Sequence, residues 1–246
     1  MSLECDHLTR RYGALVAVDD LSLTVPSGTI LGFLGPNGAG KTTTMRMMAG
    51  LLRPSAGAVR VCGYDVQRHP LEIRRRLVFL PDEPALPEKL TANEWLEFVG
   101  AACHLRLGAR ATELLEIFDL ARAARQQIGG YSHGMRQRLS WVVALLRQPD
   151  VLLLDEPTVG LDPPAARLVT DALRVLTRQG TAVLLSTHVL EIADALCDHV
   201  AILQGGRIRA EGTLADLRSE HQSLESLFFE LTGGPGEAEL LAALRQ

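Results

Sequence analysis

Thr29-Ile30-Leu31-Gly32-Phe33-Leu34-Gly35-Pro36-Asn37-Gly38-Ala39-Gly40-Lys41-Thr42-Thr43 decides how the rest of the chain is read. The apolar run Ile30–Leu34 has the length of a strand, and a helical pattern follows from Thr43. Between them Gly35–Thr42 fits G-x-x-x-x-G-K-[ST], with the preceding strand and following helix that the motif requires. Gly35, Gly38 and Gly40 let the backbone curl with its N–H groups inward at the positive end of a helix, an arrangement suited to phosphate. Lys41 adds a mobile point charge, and Thr42 a hydroxyl for Mg²⁺. The candidate phosphate-binding residues are therefore Gly35, Pro36, Asn37, Gly38, Ala39, Gly40, Lys41, Thr42 and Thr43.

The second half of such a site is an apolar strand ending in a carboxylate, and Val151-Leu152-Leu153-Leu154-Asp155-Glu156 supplies it. Asp155 is placed to hold Mg²⁺ through water as a hard oxygen ligand. Glu156 is placed to polarise an attacking water as general base, a role worth roughly 10²–10⁴-fold in rate. Taken alone, the two acids could simply cap a strand before Pro157; paired with the glycine-rich loop they read as chemistry.

Working outward, the 246 residues suit one large domain, or one domain with an inserted lobe. With 47% hydrophobic and 22% charged residues, the composition excludes a disordered or collagen-like chain. Lys plus Arg is 25 against 29 Asp plus Glu, a net charge of −4, so no nucleic-acid partner is expected. Further strand-like runs fall at 59–62, 77–80, 182–186 and 199–203, and helical patterns at 41–52, 92–105, 135–146, 164–177 and 189–196. This alternation predicts an α/β fold with a mostly parallel sheet. Gly205-Gly206 between two apolar runs predicts a hairpin turn. Residues 90–147 contain no convincing strand and read as an inserted helical lobe; Gly233-Gly234-Pro235-Gly236 breaks the pattern before a short amphipathic end.

Cys5, Cys62, Cys103 and Cys197 are scattered without a C-x-x-C pair, as suits reduced, buried thiols rather than zinc ligands or disulfides. The first residues hold no apolar stretch of signal-peptide length, and no apolar run approaches the roughly 18 residues of a membrane span. The chain is thus expected to be soluble.

Asn37 and Asn93 are the only asparagines and neither precedes a lysine, which argues against an Asn-Lys-x-Asp guanine reader. Tyr131-Ser132-His133-Gly134-Met135-Arg136-Gln137-Arg138 instead opens a helix, with Ser132 lying 23 residues before Asp155. It resembles the signature loop of ATP-binding-cassette (ABC) ATPases, usually Leu-Ser-Gly-Gly-Gln, and with it the resemblance covers nearly the whole chain. Several implications follow from the resemblance. Tyr12 stacks on adenine; Asp162, in Pro157-Thr158-Val159-Gly160-Leu161-Asp162-Pro163, reaches across a dimer; His188, after Ser186-Thr187, contacts the γ-phosphate and orients Glu156; Ser132 and Gly134 bind the γ-phosphate of a facing subunit. The catalytic set is Glu156, His188 and Lys41, the cofactors are ATP and Mg²⁺, and the metal-site residues are Thr42, Asp82 and Asp155. Asp82 stands where many members have a glutamine, and His133 and Met135 replace a glycine and a glutamine of the signature. Aspartate can meet Mg²⁺ through water but cannot donate an amide hydrogen bond.

The fold so implied is a P-loop NTPase core with an N-terminal antiparallel β subdomain and an inserted helical subdomain. Residues 1–89 and 148–213 form the core, 90–147 the helical subdomain and 214–246 a C-terminal extension. The implied partners are a second cassette, self or sibling, in a head-to-tail dimer and a separate transmembrane permease, which places the chain peripherally on the cytoplasmic face of the membrane. Its docking groove would include 82–90 and the start of the helix at 92, with Leu86, Leu90, Trp95 and Phe98 as lining candidates. Leu80–Thr91, the signature variant and Leu224–Thr232 are similar to exporter subunits for drugs, lipids or peptides; an importer ATPase, and less so a soluble non-transport ABC ATPase, are the alternatives. Arg74-Arg75-Arg76 reads as a solvated patch.

Overall fold

The computed structural model describes residues 2–220 and 223–233. In chain order its strands are β1 (Leu3–Tyr12), β2 (Leu15–Val25), β3 (Ile30–Leu34), β4 (Ala56–Val61), β5 (Tyr64–Asp65), β6 (Leu77–Leu80), β7 (Val151–Asp155), β8 (Ala182–Thr187), β9 (His199–Gln204) and β10 (Arg207–Thr213). The helices are α1 (Lys41–Met48), α2 (Pro70–Arg76), α3 (Ala92–Cys103), α4 (Gly108–Ile117), α5 (His133–Arg147), α6 (Pro163–Arg178), α7 (Leu190–Leu196), α8 (Leu214–Glu220) and α9 (Leu224–Thr232).

A six-stranded sheet runs in the order β10-β9-β3-β8-β7-β6, and a four-stranded sheet in the order β2-β1-β4-β5. In the larger sheet β9, β3, β8, β7 and β6 pair in parallel, and only β10 is antiparallel, joined to β9 through Gly205-Gly206 as the sequence predicts. The smaller sheet is wholly antiparallel. The central strands read as unbroken apolar runs because both of their faces are covered. Leu152 and Leu154 of β7 join a cluster with Trp141 and Val142 of α5, whereas Val151 and Leu153 join another with Phe33, Met45 and Met48.

Local chemistry sets the helix ends. Thr91 and Glu94 form a reciprocal capping box at the start of α3, and His104 at φ 56 ends it. Ser132 caps α5 and Asp162 caps α6, each accepting a backbone N–H three residues on, and prolines occupy the first turn of α6. The helix after the phosphate loop stops at Met48, short of the expected 52: Gly50 is left-handed at φ 69, and the amides of Leu51 and Leu52 both turn back to the Arg46 carbonyl.

β1, β2, α2 and α4 go beyond the sequence reading. β1 and β2 escape a periodicity search because their pairing is interrupted by register shifts, with His7 and Asp20 at positive φ, so alternation breaks. Arg74-Arg75-Arg76 form the last turn of α2, with Arg74 and Arg75 exposed as expected; Glu72 pairs with both Arg75 and Arg76, and the Arg76 guanidinium lies 4.7 Å from the Tyr64 ring centroid. α4 was not singled out within the helical stretch. The four cysteines are free; Cys5 and Cys197 are buried, and burial pushes both thiols up to about 12. The amphipathic end expected beyond the Gly-Pro cluster, 234–246, lies outside the described residues.

Trp141 is fully buried in the cluster joining α5 to the sheet. Trp141→Ala is expected to lower unfolding free energy by about 3–5 kcal/mol, read from urea denaturation by circular dichroism. A loss below about 1 kcal/mol would show that the site collapses around the truncation.

Candidate active site

The site sits at the carboxyl ends of the parallel strands, where open α/β sheets present their crevices. β3 delivers the glycine-rich loop, β7 delivers Asp155 and Glu156, β8 delivers Thr187 and His188, and β6 leads to Asp82. The loop is fastened by backbone bonds: Ala39 N–H to the Pro36 carbonyl (3.1 Å), Gly206 N–H to the Ala39 carbonyl (3.0 Å), and Asp19 N–H to the Gly206 carbonyl (2.9 Å). At Gly40, φ is 105° and a Cβ would lie 2.5 Å from the Ala17 carbonyl oxygen, so a side chain is excluded twice over.

Lys41 Nζ donates to the carbonyls of Gly35 (2.5 Å) and Pro36 (3.2 Å). Burial holds this ammonium below the ordinary lysine range, against the pull of Glu156 and Asp155. The Thr42 hydroxyl donates to Asp155 Oδ2 at 2.7 Å, so loop and strand end meet in two hard oxygens. A cavity of about 680 Å³ opens over Asn37–Thr43, bounded by Tyr12, Leu15 and Ala17, by Asp82, and by Asp155 and Glu156. That volume accommodates a nucleotide.

Glu156 adopts φ 51, an uncommon conformation for a residue with a side chain. Both of its oxygens are engaged: His188 Nδ1 lies 2.8 Å from Oε1, and the Thr187 hydroxyl donates to Oε2 at 3.2 Å. The Glu156 amide donates to the Ser186 carbonyl at 3.0 Å, locking the turn against β8. The sequence assigns Thr187 no role, because a threonine ending an apolar strand carries no motif of its own. Tyr12 is 46% exposed on the cavity, with the Arg10 guanidinium 4.5 Å from its ring centroid and Arg10 itself donating to the Arg53 carbonyl. Arg10, Leu15 and Ala17 carry no motif, which is why the sequence did not mark them.

The remaining candidates divide between this cavity and its surroundings. Ser132, Gly134, Asp162 and His188 are not among the residues lining this cavity. Ser132 is exposed at the start of α5. Asp162 binds the Ala165 amide at 3.0 Å and the Arg138 guanidinium at 2.6 Å. The exposed Asp82 lines the cavity, and its carbonyl accepts from the buried Gln137 amide at 3.4 Å.

A second groove, about 570 Å³, lies between Leu51, Leu71 and Phe79 on one side and Ala102–Leu105 on the other, with Arg74, Arg75 and Arg147 at its edge. The expected groove residues sit differently. Leu86 and Trp95 pack on the interior, while Phe98 is exposed and stacks on Trp95 at 5.5 Å. Between 86 and 98, Ala92 and Leu96 are buried and Leu86 and Trp95 pack against the same cluster, so these apolar residues belong to the foundation of the helical stretch.

The family model for ABC transporters matches residues 18–159. The chain is 46% identical over 222 residues to a daunorubicin resistance ATP-binding protein of Streptomyces coeruleorubidus, covering 89% of this chain and 70% of that protein. It is 40% identical over 213 residues to a Nod factor export ATP-binding protein of Ralstonia nicotianae, covering 85% of this chain and 66% of the other. A solved structure of an ATP-binding subunit of an ABC transporter superposes with a TM-score of 0.90 at 35% identity, covering 94% of this chain and all of that one.

The Ala165 amide, helped by Arg138, holds the Asp162 carboxyl below the usual carboxylate range. Its contribution to stability is therefore complete above the unfolded carboxylate pKa and is lost as pH falls through the depressed value. Asp162→Asn keeps the cap but removes the charge. The wild-type advantage in denaturation midpoint over this variant is expected near pH 7 and should fall away as pH drops below the ordinary carboxylate range and through the depressed pKa; an advantage independent of pH would detach the ion pair from the effect.

Proposed function

The chain belongs to the ABC transporter ATP-binding family, and from that premise we propose that it is the ATP-hydrolysing energy subunit of an exporter. The family binds ATP, and the cavity over the Asn37–Thr43 loop is the place for it here. Tyr12 stacks on the base, the loop amides and Lys41 hold the phosphates, and Glu156 is the general base. The observation that carries this reading is the pair of contacts at the strand ends, Thr42 with Asp155 at 2.7 Å and His188 with Glu156 at 2.8 Å.

The residues fit Mg²⁺ by donor chemistry: Thr42 and Asp155 offer adjacent hard oxygens, with Asp82 on the same cavity. Held there by Thr42 and Asp155, Mg²⁺ would supply charge neutralisation to the phosphates. Glu156 takes a proton from the attacking water as the new oxygen–phosphorus bond forms and the β,γ-bridging bond breaks, leaving ADP and phosphate. His188 and Thr187 fix the carboxylate for that transfer by engaging both of its oxygens.

Ser132, Gly134 and Asp162 serve a second cassette, self or sibling, placed head to tail. Support comes from their absence from the lining of the chain's own cavity and from the exposed α5 start, where free amides suit an incoming γ-phosphate. ATP thereby closes the pair and hydrolysis releases it. Among the described residues no helix is long and apolar enough to cross a membrane. The membrane step falls to a separate permease, whose cytoplasmic helix docks in the Leu51–Leu71–Phe79 groove and holds this chain at the cytoplasmic face. Drug resistance and export in the relatives' names support the outward direction.

Glu156→Gln is expected to bind ATP, stall turnover and form an ATP-dependent dimer by light scattering; wild-type turnover would remove Glu156 from the general-base role. Lys41→Ala is expected to weaken ATP binding at least about tenfold, measured by fluorescence titration, because a charged phosphate contact is lost.

A further inference from the structure

His133 stands where the signature loops of the family usually have a glycine, and its side chain has found a place of its own. A Cβ built on Gly160 would begin 2.4 Å from His133 Cδ2 and 2.9 Å from Nε2, so the imidazole edge lies against the open face of that glycine. Gly160 sits at φ 76 in the loop that leaves Glu156, where the Val159 amide bonds the Glu156 carbonyl at 3.2 Å and the Leu161 amide bonds the Thr158 carbonyl at 3.2 Å. Two further contacts bind the same pair of segments. A Cβ at Gly134 would lie 3.1 Å from the Gly160 carbonyl oxygen, and Arg138 pairs with Asp162 at 2.6 Å. The start of α5 and the loop at Gly160–Asp162 thus touch at three points, His133 and Gly134 on Gly160 and Arg138 on Asp162, with the exposed His133 ring covering the open face of Gly160.

We infer that His133 is a positioning residue that couples the signature loop to the general base of its own chain. The inference rests on the head-to-tail reading above. When Ser132 and Gly134 meet the γ-phosphate held by the facing cassette, a rigid α5 start moves or fixes Gly160, and through two tight turns the backbone of Glu156. The His133 ring transmits this because it fills the space on which Gly160 would otherwise slide; with a glycine at 133, that space would be open. The ring acts through its shape, and Gly160 is matched to it, since any side chain there would meet the ring and also strain the backbone.

The experiment uses the purified full chain and its His133→Ala and His133→Phe variants, with ATP binding measured by fluorescence titration and steady-state ATPase by phosphate release. His133→Ala is expected to leave ATP affinity within about twofold while kcat falls roughly three- to tenfold, the range that loss of one coupling side chain gives. His133→Phe, which restores a flat ring against Gly160, is expected to recover most of kcat. Wild-type kcat in the alanine variant overturns the inference, and so does a phenylalanine variant no better than alanine. A parallel loss of ATP affinity, the mark of a general structural defect, overturns it too. Light scattering of Glu156→Gln with and without His133→Ala separates the two levels. If Glu156→Gln fails to dimerise with ATP, the head-to-tail reading falls and takes this inference with it. If it dimerises and the alanine variant still turns over as wild type, only the His133 coupling falls.

Discussion

The hydrogen bond from the Thr42 hydroxyl to Asp155 joins two parts of the chain that are 113 residues apart, and the rest of the site is arranged around it. It requires β3 and β7 to end at the same height with β8 between them, which the parallel register provides: Leu34 pairs with Thr187, and Asp155 with Ser186. Once those ends are level, Glu156 and His188 are neighbours by necessity, because each is the next residue past a levelled strand. The apolar covering on both faces of the sheet keeps that register, since a slip of one residue would turn each strand's buried sets onto the wrong layers. Packing deep in the molecule therefore sets ångström-scale distances at its rim.

Much of this was legible in the sequence for one reason: backbone geometry that few residues tolerate leaves a compositional trace. The loop needs glycine at position 40, where both φ and the Ala17 carbonyl forbid a side chain, and so it announces itself. Buried parallel strands need uninterrupted apolar runs, and Val151–Leu154 is one. What stayed hidden lacked any such demand. The bulged β1 and β2 carry only short, interrupted alternation, as at Leu21–Val25, although the family resemblance implied an antiparallel sheet there. Arg10, Leu15 and Ala17 reach the site through tertiary placement alone. Leu86, Leu90, Trp95 and Phe98 read alike in the sequence whether they face a partner or the interior; packing draws Leu86 and Trp95 inward and leaves Phe98 exposed.

The departures from the family pattern fall at contacts between segments. Asp82 keeps its place on the cavity but contributes its carbonyl to Gln137 of α5, so the link between this stretch and the signature helix passes through the backbone, whatever side chain stands at 82. His133 fills space against Gly160 in the neighbouring loop. These two departures thus lie outside the phosphate loop, at contacts between α5 and its neighbouring segments. The belonging to an ABC family is written in the loop and strand ends; the individuality of this chain is written in the joints.

Glu156 carries a tension that the fold cannot relieve. At φ 51 its backbone would be more comfortable as glycine or asparagine, and holding a larger residue there costs on the order of 1 kcal/mol or more. The carboxylate, however, must reach both Thr187 and His188, which neither of those residues could do in the same way. With Glu156 as the proposed general base, stability and turnover pull this one position in opposite directions. A library screened for thermal tolerance alone would enrich glycine there and return inert protein, so selection for robustness in this chain has to be coupled to selection for activity.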